Sequence, residues 1–532
     1  MSPLLLSAIT SLVSLQSAGA TVTGSVRDET TGNPLPNAVV SFTDLNRAGV
    51  TGSDGRYRLA SVPAGPQHIT VRYIGYAPRT LHAIVPRDGE LRISVSLQPV
   101  PLRLPAIEVR QRVSVRGLES ETDEWNGGRS LSMSAVRNHP LLSEPDVLQA
   151  LSGGEVGLRL ESPDGLHIRG GAADQTGYLL DGIPVLSPYH AGALFSALNP
   201  DALGGIALLS SAAAESPDAL SGTIAATTRP LPERLQIRGG ATTSQARLTV
   251  EAPFGSGTGL LLSVRSAFPG MLAAKKEASY LDGESGDWIA RIEAPVLGGR
   301  FRLLGYDSGN EIGTAADAAA DEAPGPVSRN SFEWSSRSWG GEWQHPIAGA
   351  TLTLRAWEAR GESKSSWRSV DLSSLGSSRR DRGALVQITR SSGNAVTTGG
   401  IRLQRIATHY QVVSDTSAVS LDGRTPVTAG FLRHERTLGR VRLTLSSSLA
   451  HAAGSFHAAP ALLLGWQPLD RVTLTAGVGR THQYAQSLRN PESVAALVFP
   501  ADLFVAAGTG AVPVARNDQV LLTAEYRPAA GV

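Results

Sequence analysis

The chain contains no cysteine. That excludes a disulfide framework, a thiolate metal site and a cysteine nucleophile. Neither sign of charge is in excess: 48 Lys and Arg stand against 47 Asp and Glu, a formal net charge of +1 over 532 residues. The basic footprint of a nucleic-acid-binding protein is missing, so no nucleic-acid partner is expected. Aromatic residues supply only 5% of the chain. Beyond the N-terminus no apolar run reaches the ~18 to 20 residues a membrane helix needs. The nearest candidate, residues 494–512, is broken by Pro500 and Asp502. There is no H-E-x-x-H, and Gly255-Ser256-Gly257-Thr258-Gly259 lacks the Lys-Ser/Thr with which a glycine loop holds phosphate and magnesium, so it reads as a turn. Catalytic residues, a metal and a cofactor are not expected, and the chain is not read as an enzyme.

What is abundant is glycine, at 57 residues, beside 32 prolines and a hydrophobic fraction of 41%. That balance suits many short strands joined by turns and opposes wholesale disorder. Residues 1–20, MSPLLLSAITSLVSLQSAGA, carry an apolar stretch and a small-x-small ending, the pattern of a secretory signal peptide, although the n-region has no Lys or Arg. From Val22 to Gln98, short β-rich runs alternate with turns at Gly32-Asn33-Pro34, Ser53-Asp54-Gly55 and Pro63-Ala64-Gly65. This spacing predicts a small β-sandwich over residues 21–98, in which His68 and His82 are structural. Residues 99–132 are rich in Pro, Arg and Glu without a broad apolar face and read as a linker.

The most structured stretch runs from Leu166 to Leu203. Apolar runs ending in Gly170-Gly171 and Asp181-Gly182, the latter followed by Ile183-Pro184-Val185, give strand, tight turn and strand. Ahead of it, Pro145 and Asp146-Val147-Leu148-Gln149-Ala150-Leu151 have the spacing of a short helix, with Pro145 in its first turn. Asp181 is expected to bond nearby backbone amides within its turn.

Ile168-Arg169-Gly170-Gly171, Asp174-Gln175, Asp181-Gly182-Ile183-Pro184-Val185, Pro188-Tyr189-His190 and Asn199-Pro200-Asp201-Ala202 resemble the plug domain of TonB-dependent outer-membrane receptors. Residues 21–98 likewise resemble the carboxypeptidase regulatory-like domain that precedes the plug in many of them. Within the linker, Leu104-Pro105-Ala106-Ile107-Glu108-Val109 resembles the TonB box, which implies that Ile107, Glu108 and Val109 contact a TonB-like energy-coupling protein by β-augmentation. The resemblance implies a small α+β plug at residues 133–229. It leaves two roles open for Arg169: a charge that locks the plug to barrel-wall carboxylates, or a permanent salt bridge. Two segments depart from the family pattern, Ser152-Gly153-Gly154-Glu155-Val156 and Leu209-Ser210-Ser211-Ala212-Ala213.

From about Leu235 the texture becomes one of alternating strands. Val441, Leu443 and Leu445 oppose Arg442, Thr444 and Ser446; Val520, Leu522 and Tyr526 oppose Leu521, Thr523 and Glu525. Short turns near residues 253–258, 295–299, 346–349, 391–394, 438–440 and 467–470 separate longer polar stretches at 307–330, 361–381 and 483–518. Short turns alternating with long loops predict a transmembrane antiparallel β-barrel over residues 230–532, with Trp343 and Trp466 at one interface and Trp288 and Trp334 at the other. The count is about 14 strands, whereas the resemblance implies roughly 22. The chain ends near a turn without a terminal strand or final aromatic, so an incomplete barrel is expected, the fragment of a longer reading frame.

The fold class is therefore mainly β: sandwich, plug, then barrel. The resemblance implies a receptor in the outer membrane of a Gram-negative bacterium, with its N-terminal domain in the periplasm, outer-membrane lipid around it and a small solute as ligand. Siderophores, vitamins, oligosaccharides and peptides all stay open. The alternative is a passive porin or surface-binding protein without energy coupling.

Overall fold

The computed structural model describes residues 20–42, 45, 47–73, 75–99, 129–138, 145–153, 155–158, 165–190, 195–210, 218–242, 245–255, 257–267, 281–314, 331–366, 372–414, 418–487, 504–509 and 512–526. Residues 1–19 of the expected signal peptide and the candidate TonB box with Ile107, Glu108 and Val109 lie outside these residues, and Ala20, read as that peptide's last residue, opens the first strand. The chain divides between Glu108 and Val109 into two units.

The first unit is built from two small sheets. In one, Ala20–Asp28 is flanked by antiparallel Arg56–Val62 and by parallel Glu90–Arg92 and Val95–Leu97; in the other the order is Arg47–Val50, Val39–Phe42, Gly65–Arg72 and Arg79–Val85. Alternate residues point inward, so Val22, Val26, Val40, Phe42, Ile69, Val71 and Leu97 form a core. Arg47–Val50 was not distinguishable in the sequence from the loops around it. Gly55 takes φ +72° in a turn where a Cβ would lie 2.8 Å from the carbonyl of Val26. His68 and His82 stack edge to face at 4.4 Å on neighbouring strands.

In the second unit a five-stranded sheet, ordered Ile183–Pro184, Thr176–Leu180, Gly222–Thr228, Leu203–Ser210 and Arg129–Ser132, carries two short helices, Met133–Asn138 and Val147–Leu151. Arg129–Ser132, read as linker in the sequence, is the edge strand of this plug sheet. Asp146 caps the second helix: its carboxylate accepts from Leu148 N and Gln149 N and, across the plug, from Ser196 N at 2.6 Å. Pro145 therefore precedes the cap and is not part of the first turn. Leu148, Leu151, Leu166, Ile168, Leu180, Leu208 and Ile224 make the plug core.

Around this plug runs a sheet of 14 strands, antiparallel and paired neighbour to neighbour from Gln236–Ala241 to Ala515–Tyr526. It curls far enough that both its beginning and its end touch the plug: Arg247 bonds Asp201, and Asn517 and Gln519 bond the carbonyl of Leu220. Its alternation is inverted relative to a soluble protein. On Gly259–Ala267, Ser263 and Arg265 are buried at 0% and 7% exposure, while Leu262 and Val264 are 41% and 43% exposed. Val520 and Leu522 on the last strand reach 77% and 79%. A polar inner face and an apolar outer face are the pattern of a barrel wall set in lipid.

Two-residue turns at Leu297-Gly298 and Ala348-Gly349 have positive φ at both positions, the twist that matches paired strands. Three expectations need correction. Strands Gly299–Thr314, Ala350–Ser366 and Leu372–Ser392 run through stretches read as polar loops, because strands continue past the apolar band. Ala453-Gly454 is a tight turn at the opposite end from the others, so short and long connections do not strictly alternate. Trp334 does not sit in an outer girdle: it shares the inward face with Ser336, Ser338 and Glu342, while among the described residues the exposed tryptophans are Trp288, Trp339 and Trp466.

Candidate functional site

The Asp181-Gly182 turn closes the end of the plug sheet with φ of +48° and +78°. The Asp181 carboxylate accepts from Thr228 N at 2.9 Å and Thr228 Oγ1 at 2.5 Å, so it ties two strand ends together and does not cap its own turn. Arg291 of the wall donates to the same threonine hydroxyl. A wall arginine, Arg355, donates to the carbonyl of Gly182 at 3.3 Å, and a Cβ at Gly182 would lie 2.5 Å from that guanidinium. Pro184 offers its carbonyl to Ser338 Oγ at 2.7 Å.

Arg355 belongs to a charge ladder fixed by strand register. Glu293, Arg302, Glu342 and Arg355 are successive cross-strand partners on four adjacent strands, all facing inward. Arg302 Nε lies 3.2 Å from Glu293, and Arg355 Nε lies 2.8 Å from Glu342. Opposite charges at directly paired positions stabilise the sheet, and here they also present a donor to the plug.

A second contact centres on Tyr189 and His190. The Tyr189 carbonyl accepts from Asn310 Nδ2 and Trp334 Nε1, both at 3.2 Å, and its hydroxyl accepts from Leu166 N at 3.0 Å. His190 is buried with Nδ1 2.7 Å from Asn310 Oδ1 and Nε2 2.9 Å from Asp287 Oδ2. Asp287 also accepts from Arg265 Nε at 2.6 Å, and Arg265 donates to the plug carbonyl of Ser196. Further round, Asn199 Nδ2 donates to Ser263 at 2.8 Å, beside the buried Pro200.

Not every residue of the plug motif meets the wall. Ile168 lies in the plug core; Arg169, at φ +51°, pairs at 2.6 Å with Glu155, a carboxylate of the plug itself. Glu155 sits in the segment that departs from the family pattern. Gly170 has φ +76°, and a Cβ at Gly171 would lie 2.6 Å from Ser221 Cβ.

The sequence reading missed a third contact. Arg379 of the wall pairs with Asp218 of the plug and, at 2.8 Å, with Asp381. Asp218 also accepts from Tyr484 N at 2.8 Å, and Asp174 accepts from Ser487 N at 3.0 Å. Burial pushes the Asp174 and Asp218 carboxyls above the usual range, against the pull of Arg379. Only spatial juxtaposition identifies this cluster, since Asp218 and Arg379 are 161 residues apart.

Between these contacts lies a cavity of about 450 Å³. Tyr178, Asp181, Pro184 and Tyr189 of the plug face Trp334, Trp357, Arg355, Arg379 and Arg402 of the wall across it. Its lining extends from Glu362 and Trp334, toward one end of the wall, to Arg302 and Gln344 near the two-residue turns. Aromatic faces beside guanidinium and carboxylate groups suit a polar solute with some flat apolar surface. Among the described residues no three His, Asp or Glu side chains are grouped to hold a metal ion.

Residues 21–98 match the carboxypeptidase regulatory-like domain family. No curated protein matches the chain. Among solved structures, the siderophore receptor PirA of Acinetobacter baumannii is similar over 76% of this chain and 68% of its own, with TM-score 0.54 and 12% identity. Ferric citrate transporter FecA gives 76% and 68%, 0.53 and 15%. The ferric enterobactin receptor PfeA of Pseudomonas aeruginosa gives 68% of this chain, 0.53 and 13%, and only 63% of that receptor is spanned. The chain thus carries a carboxypeptidase regulatory-like domain followed by the plugged β-barrel fold of the TonB-dependent outer-membrane receptors.

Proposed function

We propose that the protein is an outer-membrane receptor that takes a small solute into the cavity between plug and wall. Import then follows when a TonB-like protein pulls on the extended segment around Ile107, Glu108 and Val109. The observation that carries this reading is the plug's attachment. It sits inside a wall whose outer face is apolar, and side-chain hydrogen bonds and ion pairs hold it there around a cavity of about 450 Å³. Polar attachments of that kind can be broken and remade by a pull, and they stand beside apolar contacts in which Leu261, Ile289, Leu304 and Trp357 of the wall join the plug core. The neighbouring receptors are named for siderophores and ferric citrate, which makes a ferric chelate the first solute class to test. No bond is made or broken in this scheme, and the short turns face the periplasm.

Two deletions test it. Removing residues 133–229 is expected to raise the permeability of the membrane-inserted protein to small solutes, and removing residues 104–109 is expected to abolish uptake while surface binding persists. Uptake that survives the second deletion favours a passive porin. Unchanged permeability after the first defeats the plug assignment.

A further inference from the structure

The outer face of the wall carries an unusual concentration of arginine just beyond its apolar band. Register places Arg337, Arg360 and Arg380 on one rung, each directly opposite the next, and Arg424 on the same rung two strands further on, beyond Ala407. The adjacent rung holds Arg382 directly opposite Arg405. All six point outward, by alternation with buried Ser336, Ala359, Asp381, Ile406 and Thr425. Like charges at directly paired positions oppose strand pairing. Three carboxylates offset them in part: Asp307 on Arg337 at 2.5 Å, Glu358 on Arg382 at 2.5 Å and on Arg380 at 3.7 Å, and Glu362 on Arg360. Among the described residues Arg405 and Arg424 have no ion-pair partner. Glu311, Glu333 and Asp422 lie on rungs further from the apolar band.

Immediately below the arginines is a groove of about 600 Å³ on the same face. Small residues make its floor, Ala356 opposite Ala384, and Trp339 and Leu403, 53% and 52% exposed, make its walls. Glu358, Arg382 and Arg405 form its upper end. An apolar trough that runs up to paired guanidinium groups at the edge of a lipid-facing band fits a molecule with an acyl chain below and a phosphate above. Guanidinium groups bind phosphate in a bidentate manner, and a phosphate between Arg382 and Arg405 would relieve their repulsion.

We propose that this face binds one phosphorylated, acylated lipid of the outer leaflet, with a chain in the groove between Trp339 and Leu403 and its phosphate between Arg382 and Arg405. The assignment to the outer leaflet rests on the reading above, in which the two-residue turns face the periplasm.

The test uses the full chain in detergent micelles, with diphosphorylated lipid A as probe and native mass spectrometry as readout. One lipid per chain is expected to be retained. The double variant Arg382→Glu, Arg405→Glu should lower the bound fraction about tenfold, as expected when charge-assisted bonds are reversed in sign. Ala384→Trp, which fills the groove and leaves the charge intact, should do the same. Equal retention by wild type and both variants overturns the proposal, as does equal binding of the lipid stripped of its phosphates. Displacement by millimolar inorganic phosphate alone overturns it in favour of a free-phosphate site. Insertion into bilayers, followed in parallel, separates this failure from that of the receptor reading: a chain that inserts but shows no phosphate preference defeats only the lipid site.

Discussion

Arg355 stands directly opposite Glu342 on neighbouring strands of the wall and reaches past it to the carbonyl of Gly182 in the plug. One guanidinium therefore serves the wall's charge ladder and the plug's tight turn together. Arg355→Ala leaves Glu342 buried, with Arg302 at 3.9 Å as its remaining partner, and removes a donor from the turn. A loss of about 2 to 3 kcal/mol in the stability of the plugged state is expected, below the full cost of breaking a buried pair because Arg355 is partly exposed. Gly182→Ala should act in the same direction through its +78° φ and the approach to Arg355. Protease cleavage within residues 133–229 measures both; unchanged cleavage rates in both variants would contradict the clamp.

Asp287 holds two cations or donors at once, Arg265 and His190, at 1% side-chain exposure. Asp287→Ala removes the shared carboxylate and leaves Arg265 with the Ser196 carbonyl and His190 with Asn310 Oδ1, and a destabilisation of about 3 to 5 kcal/mol is expected in denaturant titration. His190→Ala should cost less, about 1 to 2 kcal/mol, because Arg265 keeps its carboxylate partner. The reverse ranking would show that the histidine, not the Arg265–Asp287 pair, anchors this side of the plug.

Tyr76 Oη donates to Asp28 at 2.6 Å in the N-terminal unit. This bond, with the Thr31 and Thr30 amides, holds the Asp28 carboxyl below its usual 3.8, and it raises the Tyr76 hydroxyl from 10.0 to about 12. A lowered acid stabilises the fold above its ordinary value, and that contribution is lost as pH falls through the lowered one. A raised phenol stabilises below 10.0, and its contribution is lost as pH climbs toward about 12. The melting temperature of the unit should therefore fall on both sides of a plateau. Tyr76→Phe should remove the alkaline fall attributable to this pair and shrink the acid one, since the Thr30 and Thr31 amides remain on Asp28. An alkaline limb identical in wild type and variant would contradict the assignment.

Local chemistry was the legible part of the sequence. The Asp-Gly turn, the glycines of the plug motif and the period-two alternation of the wall are each set by a few neighbouring residues, and each was found where expected. The charge ladder was not legible. Glu293 and Arg302 are close in sequence, but Glu342 and Arg355 join them only through the register of four strands. The Asp181 carboxylate bonds Thr228, 47 residues away, for the same reason. Trp334 was misplaced because proximity to a loop says nothing about which face a strand residue occupies; one step of parity moved it from lipid to plug. Polarity likewise marks where a strand leaves the apolar band, not where it stops, which is why Asp307 and Arg380 lie in mid-strand.

The measurement that tests the account most directly uses the absence of cysteine. A fluorophore on a single engineered cysteine at Leu464, 44% exposed on the outer face, is compared with one at Thr444, buried on the inner face of the neighbouring strand, in bilayers that carry a lipid-borne quencher. The account predicts strong quenching at Leu464→Cys and little at Thr444→Cys. Equal quenching, or none at either site, would contradict a lipid-facing wall and with it the outer-membrane receptor.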